Sequence, residues 1–296
     1  MISRRTVAAA CLAFSLAACG GDNRPPTQPP PPPAPPVNLD PPANTAPAID
    51  GITALGRRPK EPARFADVRE TIDVTATVRD PETPIEELTY QWSATAGTFT
   101  GTGRAVTWTA PDTVMQPTVT ITLKVIEAYG HPGQAKIFSQ ETTGTVTISL
   151  HDSIKELADM AGRFLTEFSK PQTNQDWRDI MRDFNAAVCP TPSLVEEEKD
   201  DVVRNYTYYE MHTYAIWPAT VVTNFGGTCL RDRQGDACIS VPARWDSTDT
   251  RTKQRGVAEG VDHLSAVYSP AQSRWWLCSS DWVPTGTLGY SFYPGR

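Results

Sequence analysis

The sequence predicts a multi-domain protein in which an all-β domain precedes an α+β domain, both behind a proline-rich linker. Three changes of pattern along the 296 residues carry this prediction. Residues 24–47 hold twelve prolines. Residues 48–150 place apolar side chains at every second position, which is typical of strands, and after residue 152 the apolar spacing becomes helical before strand patterns return.

The N-terminus has the layout of a secretory signal peptide. Arg4 and Arg5 precede an apolar run over residues 7–18, and the small pair Ala17-Ala18 comes before Cys19. Twelve apolar residues are too few to span a bilayer, which needs about 20. We therefore predict that residues 1–18 are a cleaved signal peptide.

The motif Leu16-Ala17-Ala18-Cys19 resembles the lipobox of bacterial lipoproteins. The resemblance implies that the Cys19 thiol carries a diacylglycerol and that Cys19 is the first mature residue. Acyl chains contribute about 0.8 kcal/mol per buried CH₂, so several chains anchor a protein durably. Because Gly20 follows instead of Asp, the resemblance favours the outer membrane of the cell envelope.

Residues 19–47 form the predicted linker behind the lipidated cysteine. Proline fixes φ and lacks an N–H, so this stretch is expected to be disordered and extended, without helix or sheet. At about 3.1 Å per residue, the proline-rich part would hold the next domain about 70 Å from the membrane.

The charge distribution argues against a nucleic-acid partner. The net charge is −7, and removal of Arg4 and Arg5 with the signal peptide makes it −9. Residues 48–149 carry 9 Lys and Arg against 12 Asp and Glu, and residues 150–296 carry 15 against 20. Neither part provides the clustered positive surface that nucleic-acid binding needs.

Residues 48–150 are predicted to form an antiparallel β-sandwich with one buried face per strand. Period-2 apolar runs are separated by turn sequences such as Asp80-Pro81-Glu82 and His131-Pro132-Gly133. The strand signals are Ile72 to Val78, Leu88 to Trp92, Val106 to Trp108, Val119 to Val125 and Val146 to Leu150.

The stretch Thr75 to Glu82 and the run Leu88-Thr89-Tyr90-Gln91-Trp92 resemble bacterial immunoglobulin-like and polycystic-kidney-disease (PKD) repeats. The resemblance implies an immunoglobulin-like sandwich with Trp92 as its core tryptophan. Carboxylates in the loops are the ligand type that Ca²⁺ prefers. Asp80, Glu82 and Asp112 are therefore candidate Ca²⁺ ligands, with turn formation as the alternative interpretation.

Residues 151–296 are predicted to be an α+β domain of two helices packed on a curved antiparallel sheet. Ser153 and Glu156 have capping-box spacing and precede an apolar helical stripe, and a second helix is expected from Thr173. Strands are expected at 202–222, 238–245, 261–268 and 274–282. The element order and the final hairpin around Trp275-Trp276 resemble the nuclear-transport-factor-like cone fold.

Four cysteines remain after the signal peptide and Cys19: Cys189, Cys229, Cys238 and Cys278. An even number in an exported protein indicates two disulfides, with three possible pairings. The turn formers Asp232 and Gly235 between Cys229 and Cys238 favour a bridged hairpin. The favoured pairs are therefore Cys229–Cys238 and Cys189–Cys278.

One row of side chains is a candidate pocket. If residues 202–216 form a single strand, alternate residues point to the same face. This row contains Tyr206, Tyr208, Glu210, His212 and Tyr214. It would place a carboxylate–imidazole pair between aromatic walls, and an exposed polar sheet face is the alternative.

No motif identifies a catalytic site. Asp262, His263 and Ser265 supply the residue types of a hydrolase triad, but adjacent strand residues point to opposite faces, which excludes the required contact. The sequence therefore favours a non-catalytic, lipid-anchored envelope protein with a binding, adhesion or structural role, whose partner would be another envelope protein or a surface glycan. The alternative is a small-molecule, hydrolase or isomerase pocket centred on Glu210 and His212.

Overall fold

The computed structural model describes residues 40–170 and 177–285, apart from the side chain of Tyr206. The predicted signal peptide, Cys19 and the linker up to residue 39 lie outside the described residues. The fold is mostly β, and the described residues form three sheets and three α-helices. None of these helices is long and apolar enough to cross a bilayer.

Residues 48–151 form two four-stranded sheets. The first contains β1 (Ala48–Leu55), β3 (Thr71–Arg79), β5 (Thr98–Thr100) and β6 (Ala105–Thr109), in the order β1-β3-β6-β5. The second contains β2 (Phe65–Asp67), β4 (Thr89–Ala94), β7 (Thr118–Gly130) and β8 (Ile137–His151), in the order β2-β8-β7-β4. All pairings are antiparallel except that of β2 with β8.

These sheets pack face to face as the predicted sandwich requires, and we call them the sheet pair. Ile72 and Val74 of β3 share one buried cluster with Val119 and Ile121 of β7. Each strand buries alternate residues, because successive side chains point to opposite faces. Apolar periodicity was therefore sufficient to find β3, β4, β6, β7 and the last part of β8, while β1 and the short β2 and β5 were not predicted.

The fully buried tryptophan of the sheet pair is Trp108, not Trp92 as expected. Trp108 is 0 % exposed, and its Nε1 donates to the Ala96 carbonyl at 3.0 Å. Trp92 is only partly buried and donates to the Gly103 carbonyl at 2.9 Å. Gly97 has φ +79°, and a Cβ there would lie 2.6 Å from the Trp108 ring, so this turn requires glycine.

The C-terminal region (residues 153–285) begins with the helices α1 (Ser153–Phe168), α2 (Trp177–Ile180) and α3 (Pro192–Tyr208). The α1 N-cap is Asp152, one residue before Ser153, and its side chain accepts from the Lys155 amide at 3.1 Å. The predicted start of the second helix at Thr173 lies outside the described residues. Its described part is short and continues as a 3₁₀ turn over Met181–Asp183.

Helix α3 corrects the expected strand at 202–222, since residues 202–208 are helical. Its buried residues are Val195, Glu198, Val202 and Asn205, which have helical spacing. Two of these four are polar, so a search for apolar periodicity does not find the stripe. Pro192 at the first helical position is a start signal that was present in the sequence.

The third sheet is an antiparallel meander. Its strands are β9 (Tyr209–Ile216), β10 (Thr220–Thr228), β11 (Gln234–Asp249), β12 (Arg255–Ser269) and β13 (Arg274–Pro284). β9 and β10 pair with successive halves of β11, so together they form one interrupted edge. β12 and β13 form the expected hairpin.

The two favoured disulfides are confirmed. Cys229 and Cys238 cross-link the β10–β11 hairpin, and Cys189 before α3 is bonded to Cys278 of β13. The second bridge closes a separation of 89 residues, the first a separation of 9. In the chain-entropy description, the longer loop gives the larger stabilisation.

Candidate functional site

A buried carboxyl group lies between the helices and the third sheet. Asp262 of β12 is 2 % exposed and faces the same side as its neighbours Val241 and Trp282 across the sheet. The hydroxyl of Ser280 donates to its carboxylate, at 2.9 and 3.0 Å from the two oxygens. A carboxyl group in such a place costs free energy unless it is protonated or well paired.

The surroundings of Asp262 are largely aromatic. Phe168 of α1 packs edge-on against Trp245 of β11 at 5.8 Å between ring centroids, and Trp245 contacts Trp282 at 4.6 Å. Glu198 and Asn205 of α3 line the same cavity, which has a volume of about 10 Å³. This is space for about one water molecule, so the side chains almost fill the interior.

Burial raises the pKa of Asp262 to about 7, and the nearby Asp281 charge adds to the rise against the hydrogen bond from Ser280. The carboxyl group is therefore a proton donor over much of the neutral range. A carboxyl group with this property in an aromatic interior is the type of group found at binding and catalytic sites.

The predicted pocket row is divided by the fold. Tyr206 and Tyr208 belong to helix α3, so they do not share a strand face with Glu210 and His212. Glu210 and His212 are exposed, and His212 Nε2 is 2.7 Å from the Thr248 hydroxyl.

The strand itself also changes register within the predicted row. A β-bulge falls between Met211 and Thr213, and Tyr214 pairs with the buried Trp245, whereas Glu210 pairs with Thr248. Since paired residues share a face, Tyr214 and Glu210 lie on opposite faces. A bulge is not visible in a period-2 pattern, which is why the row was expected to be continuous.

On the outer face of the third sheet, His263 contacts Ser240, and not Asp262 or Ser265. His263 Nδ1 is 2.9 Å from the Ser240 hydroxyl. Burial lowers the pKa of His263. Asp262 lies on the other face, and Ser265 hydrogen-bonds Ser279 at 2.7 Å, so Asp262, His263 and Ser265 form no triad.

The candidate Ca²⁺ ligands are separated. Asp80 accepts from the Glu82 and Thr83 amides at 3.0 and 2.7 Å, which is a turn-forming role. Asp112 instead lies near Arg69, at 3.6 Å. Over residues 40–170 and 177–285, no group of three or more His, Cys, Asp or Glu is placed to hold a metal ion.

A second polar cluster joins the sheet pair to the C-terminal region. Arg58 lies 2.7–2.9 Å from the carboxylates of Glu61, Asp67 and Glu70. It also donates to the Thr223 hydroxyl of β10 at 2.8 Å. Its guanidinium lies 5.6 Å from the ring centre of Phe65 and 4.7 Å from that of Phe225.

Phe65 is part of the sheet pair by chain position but of the C-terminal region by packing. It is 1 % exposed and belongs to the buried cluster of the helices and the third sheet. His151 stacks on it at 5.0 Å, with Nδ1 3.0 Å from Glu156 and Nε2 3.0 Å from the Tyr268 hydroxyl. We call the contacts around Arg58 and Phe65 the junction.

Sequence reasoning did not identify Asp262, Glu198 or Arg58 as site residues. Asp262 was considered only beside His263. The available signal was its position: Asp262 occupies a place in β12 where the alternation would put an apolar, buried side chain. Arg58 lies in a loop, and the sequence contains no local pattern that relates it to Phe225, 167 positions later.

We predict that Asp262 makes the folded protein less stable as the pH rises. Its pKa is raised from 3.8 to about 7, so its stabilising contribution is complete below 3.8 and is lost as the pH rises through 7. At about 1.4 kcal/mol per pKa unit, the loss is on the order of 4 kcal/mol. Urea unfolding of D262N from pH 4 to 8 should give a flatter profile than the wild type, whereas D112N, at an exposed site, should match the wild type. Equal slopes for D262N and wild type would contradict the assignment.

Comparison with protein-family models, curated proteins and solved structures finds no match to this chain.

Proposed function

We propose that this protein is a lipid-anchored component of the bacterial cell envelope with a non-catalytic binding role. Cys19 carries the anchor, at the outer membrane, and the proline-rich linker holds an immunoglobulin-like sandwich away from the bilayer. The C-terminal region, a cone-like fold of helices on a curved sheet, presents the binding surface. The two disulfides support an oxidising compartment, since such bonds are rare in the cytosol.

The observation that carries the proposal is a concentration of exposed apolar side chains at one edge of the third sheet. Ten large apolar side chains of the described residues are exposed, and four of them lie between positions 214 and 230. These four, the edge strip, are Tyr214, Trp217, Val222 and Leu230. They are distributed along this edge, with Tyr214 on the face of its partner Trp245 and Val222 on the opposite face, that of its partner Cys238. Exposed aromatic and aliphatic groups along a sheet edge are typical of interaction surfaces.

The position of the edge strip suits a macromolecular ligand. Trp217 is 45 % exposed and lies at the break between β9 and β10, where its amide donates to the Pro242 carbonyl at 3.0 Å. Val222 is 57 % exposed on the neighbouring strand. Burying such side chains contributes about 25 cal/mol per Å² of apolar surface. The ligand is another envelope protein, with a surface glycan as the alternative.

The anchor is tested by C19S. Loss of the acceptor thiol should abolish labelling with a palmitate analogue and leave the uncut precursor. C11S provides the matched control, because Cys11 lies within the predicted signal peptide and should leave labelling and processing unchanged. A C19S protein that is still processed and still membrane-bound after a carbonate wash would contradict lipid anchoring.

The binding surface is tested by photo-crosslinking in intact cells. A benzoylphenylalanine residue at position 217 should form a covalent adduct with a partner protein, and the same residue at exposed position 137 of the sheet pair should not. W217A should weaken capture of that partner at least tenfold compared with I137A. Glycan binding lost in W217A without any protein adduct would identify the glycan alternative. Retention of both activities by W217A would disprove the assignment of the edge strip.

The second candidate function is small-molecule binding in the helix–sheet interior. It is favoured by Asp262, a buried proton donor among Phe168, Trp245 and Trp282. This location replaces the one expected around Glu210 and His212, which are exposed. Since the cavity holds about 10 Å³, a ligand must displace an aromatic side chain to enter.

Ligand binding in the interior has a direct optical readout. A flat aromatic ligand with a carbonyl acceptor should quench the fluorescence of Trp245 and Trp282. D262L, which has no donor at this position, should reduce the affinity about tenfold, as expected for one lost hydrogen bond. An equal quenching midpoint in D262L and wild type, or no quenching with any compound of a screened set, would exclude this function.

A further inference from the structure

The junction contains more negative charge than its one guanidinium can balance. Three carboxylates, from Glu61, Asp67 and Glu70, contact Arg58, and their side chains are 1 %, 17 % and 15 % exposed. With all three ionised, the cluster carries a net charge of −2 in a partly desolvated place. Carboxylates that share one guanidinium disfavour each other's ionised form, because their negative charges repel.

The same guanidinium links the two parts of the molecule. On the C-terminal side it contacts Thr223 and Phe225 of β10, at 2.8 Å from the hydroxyl and 4.7 Å from the ring centre. Phe225 has φ +34°, an uncommon conformation for a bulky residue, and it occupies a bulge between Thr223 and Gly227. Such a conformation persists only where its surroundings hold it.

A cavity of about 230 Å³ lies beside the cluster, with Arg58, Glu70, Asp152 and Thr223 in its lining. This volume admits several water molecules. The charged groups that face Glu70 are Arg58, Glu61 and Asp67 from its own side and Asp152 from the start of α1. His151, which stacks on Phe65, has its own partner in Glu156, at 3.0 Å from Nδ1.

We propose that the junction is a pH-sensitive lock, which holds the sheet pair firmly on the C-terminal region in mildly acidic conditions and loosens as the pH rises above neutral. With Glu70 protonated, Arg58 faces two carboxylates and the contacts to Phe225 and Thr223 are kept. Ionisation of Glu70 adds a third negative charge, and the adjacent cavity lets water reach the separating groups.

The direction of the change follows from the titration of Glu70. Burial raises its pKa to about 7, and the charges of Glu61 and Asp67 add to this against the Asp67 amide and the Arg58 charge. A carboxyl group whose pKa is raised on closure stabilises the closed form fully below its ordinary value of 4.5. This contribution is lost progressively as the pH rises through 7, so the lock is weaker at pH 8 than at pH 6.

Hydrogen–deuterium exchange of the full mature chain at pH 6 and pH 8 tests the lock. After correction for the intrinsic exchange rate, peptides covering residues 57–70 and 220–228 should open about tenfold more often at pH 8, the ratio that pKa values of 4.5 and 7 give. Peptides from the centre of the sheet pair, such as residues 119–126, should show no such ratio.

The matched pair of variants is E70Q and E141Q. Glu70→Gln keeps the shape of the protonated side chain but cannot ionise, so the ratio of opening at pH 8 to opening at pH 6 should fall to about one. Glu141 of β8 is exposed and paired with Lys124, so E141Q should keep the tenfold ratio. Equal corrected rates at both pH values in the wild type, or a tenfold ratio retained in E70Q, would overturn the proposal. If E70Q does not fold, the carboxyl ¹³C shift of Glu70 in the wild type decides: a midpoint near 7 supports the lock, and one near 4.5 refutes it.

Discussion

The junction depends on the segment that leads into β2 and on Phe65, the first residue of β2, which pack against the C-terminal region. Phe65 packs among the aromatic side chains of the third sheet, with ring centroids 4.7 Å from Tyr268 and 5.3 Å from Phe225. The Arg58 guanidinium lies against the rings of both Phe65 and Phe225 and donates a hydrogen bond to Thr223. It therefore contacts both the sheet pair and the C-terminal region. Two regions that the sequence divides near residue 150 therefore share buried residues, and neither could leave the other without exposing an aromatic ring.

The sequence was informative wherever one apolar face repeats at a fixed period. The strands β3 and β7 and the last part of β8 were found in this way, because each buries every second residue against a common core. The disulfide pairs were also predicted correctly, since the turn formers between Cys229 and Cys238 limited the choice. Strand periodicity is a local feature of the sequence, and disulfide formation is limited to the four cysteines.

Two kinds of feature were not predictable in this way. The stripe of α3 contains Glu198 and Asn205, so its burial cannot be read from hydrophobicity. The bulge near His212 reverses which side chains face the helices, and only the pairing with β11 determines where it falls. For this reason the side chains of the candidate pocket do not share one face. Asp262 does face the helices, but the sequence suggested a role for it only together with His263, which points to the opposite face.

The direct passage from β8 into α1 has a mechanical meaning. His151 ends the strand, Ser153 begins the helix, and only Asp152 lies between them. Force between the sheet pair and the third sheet would therefore pass through the backbone of one residue and, in parallel, through the side chains of Arg58 and Phe65. While the junction is closed, so short a connection leaves one region little freedom to turn relative to the other.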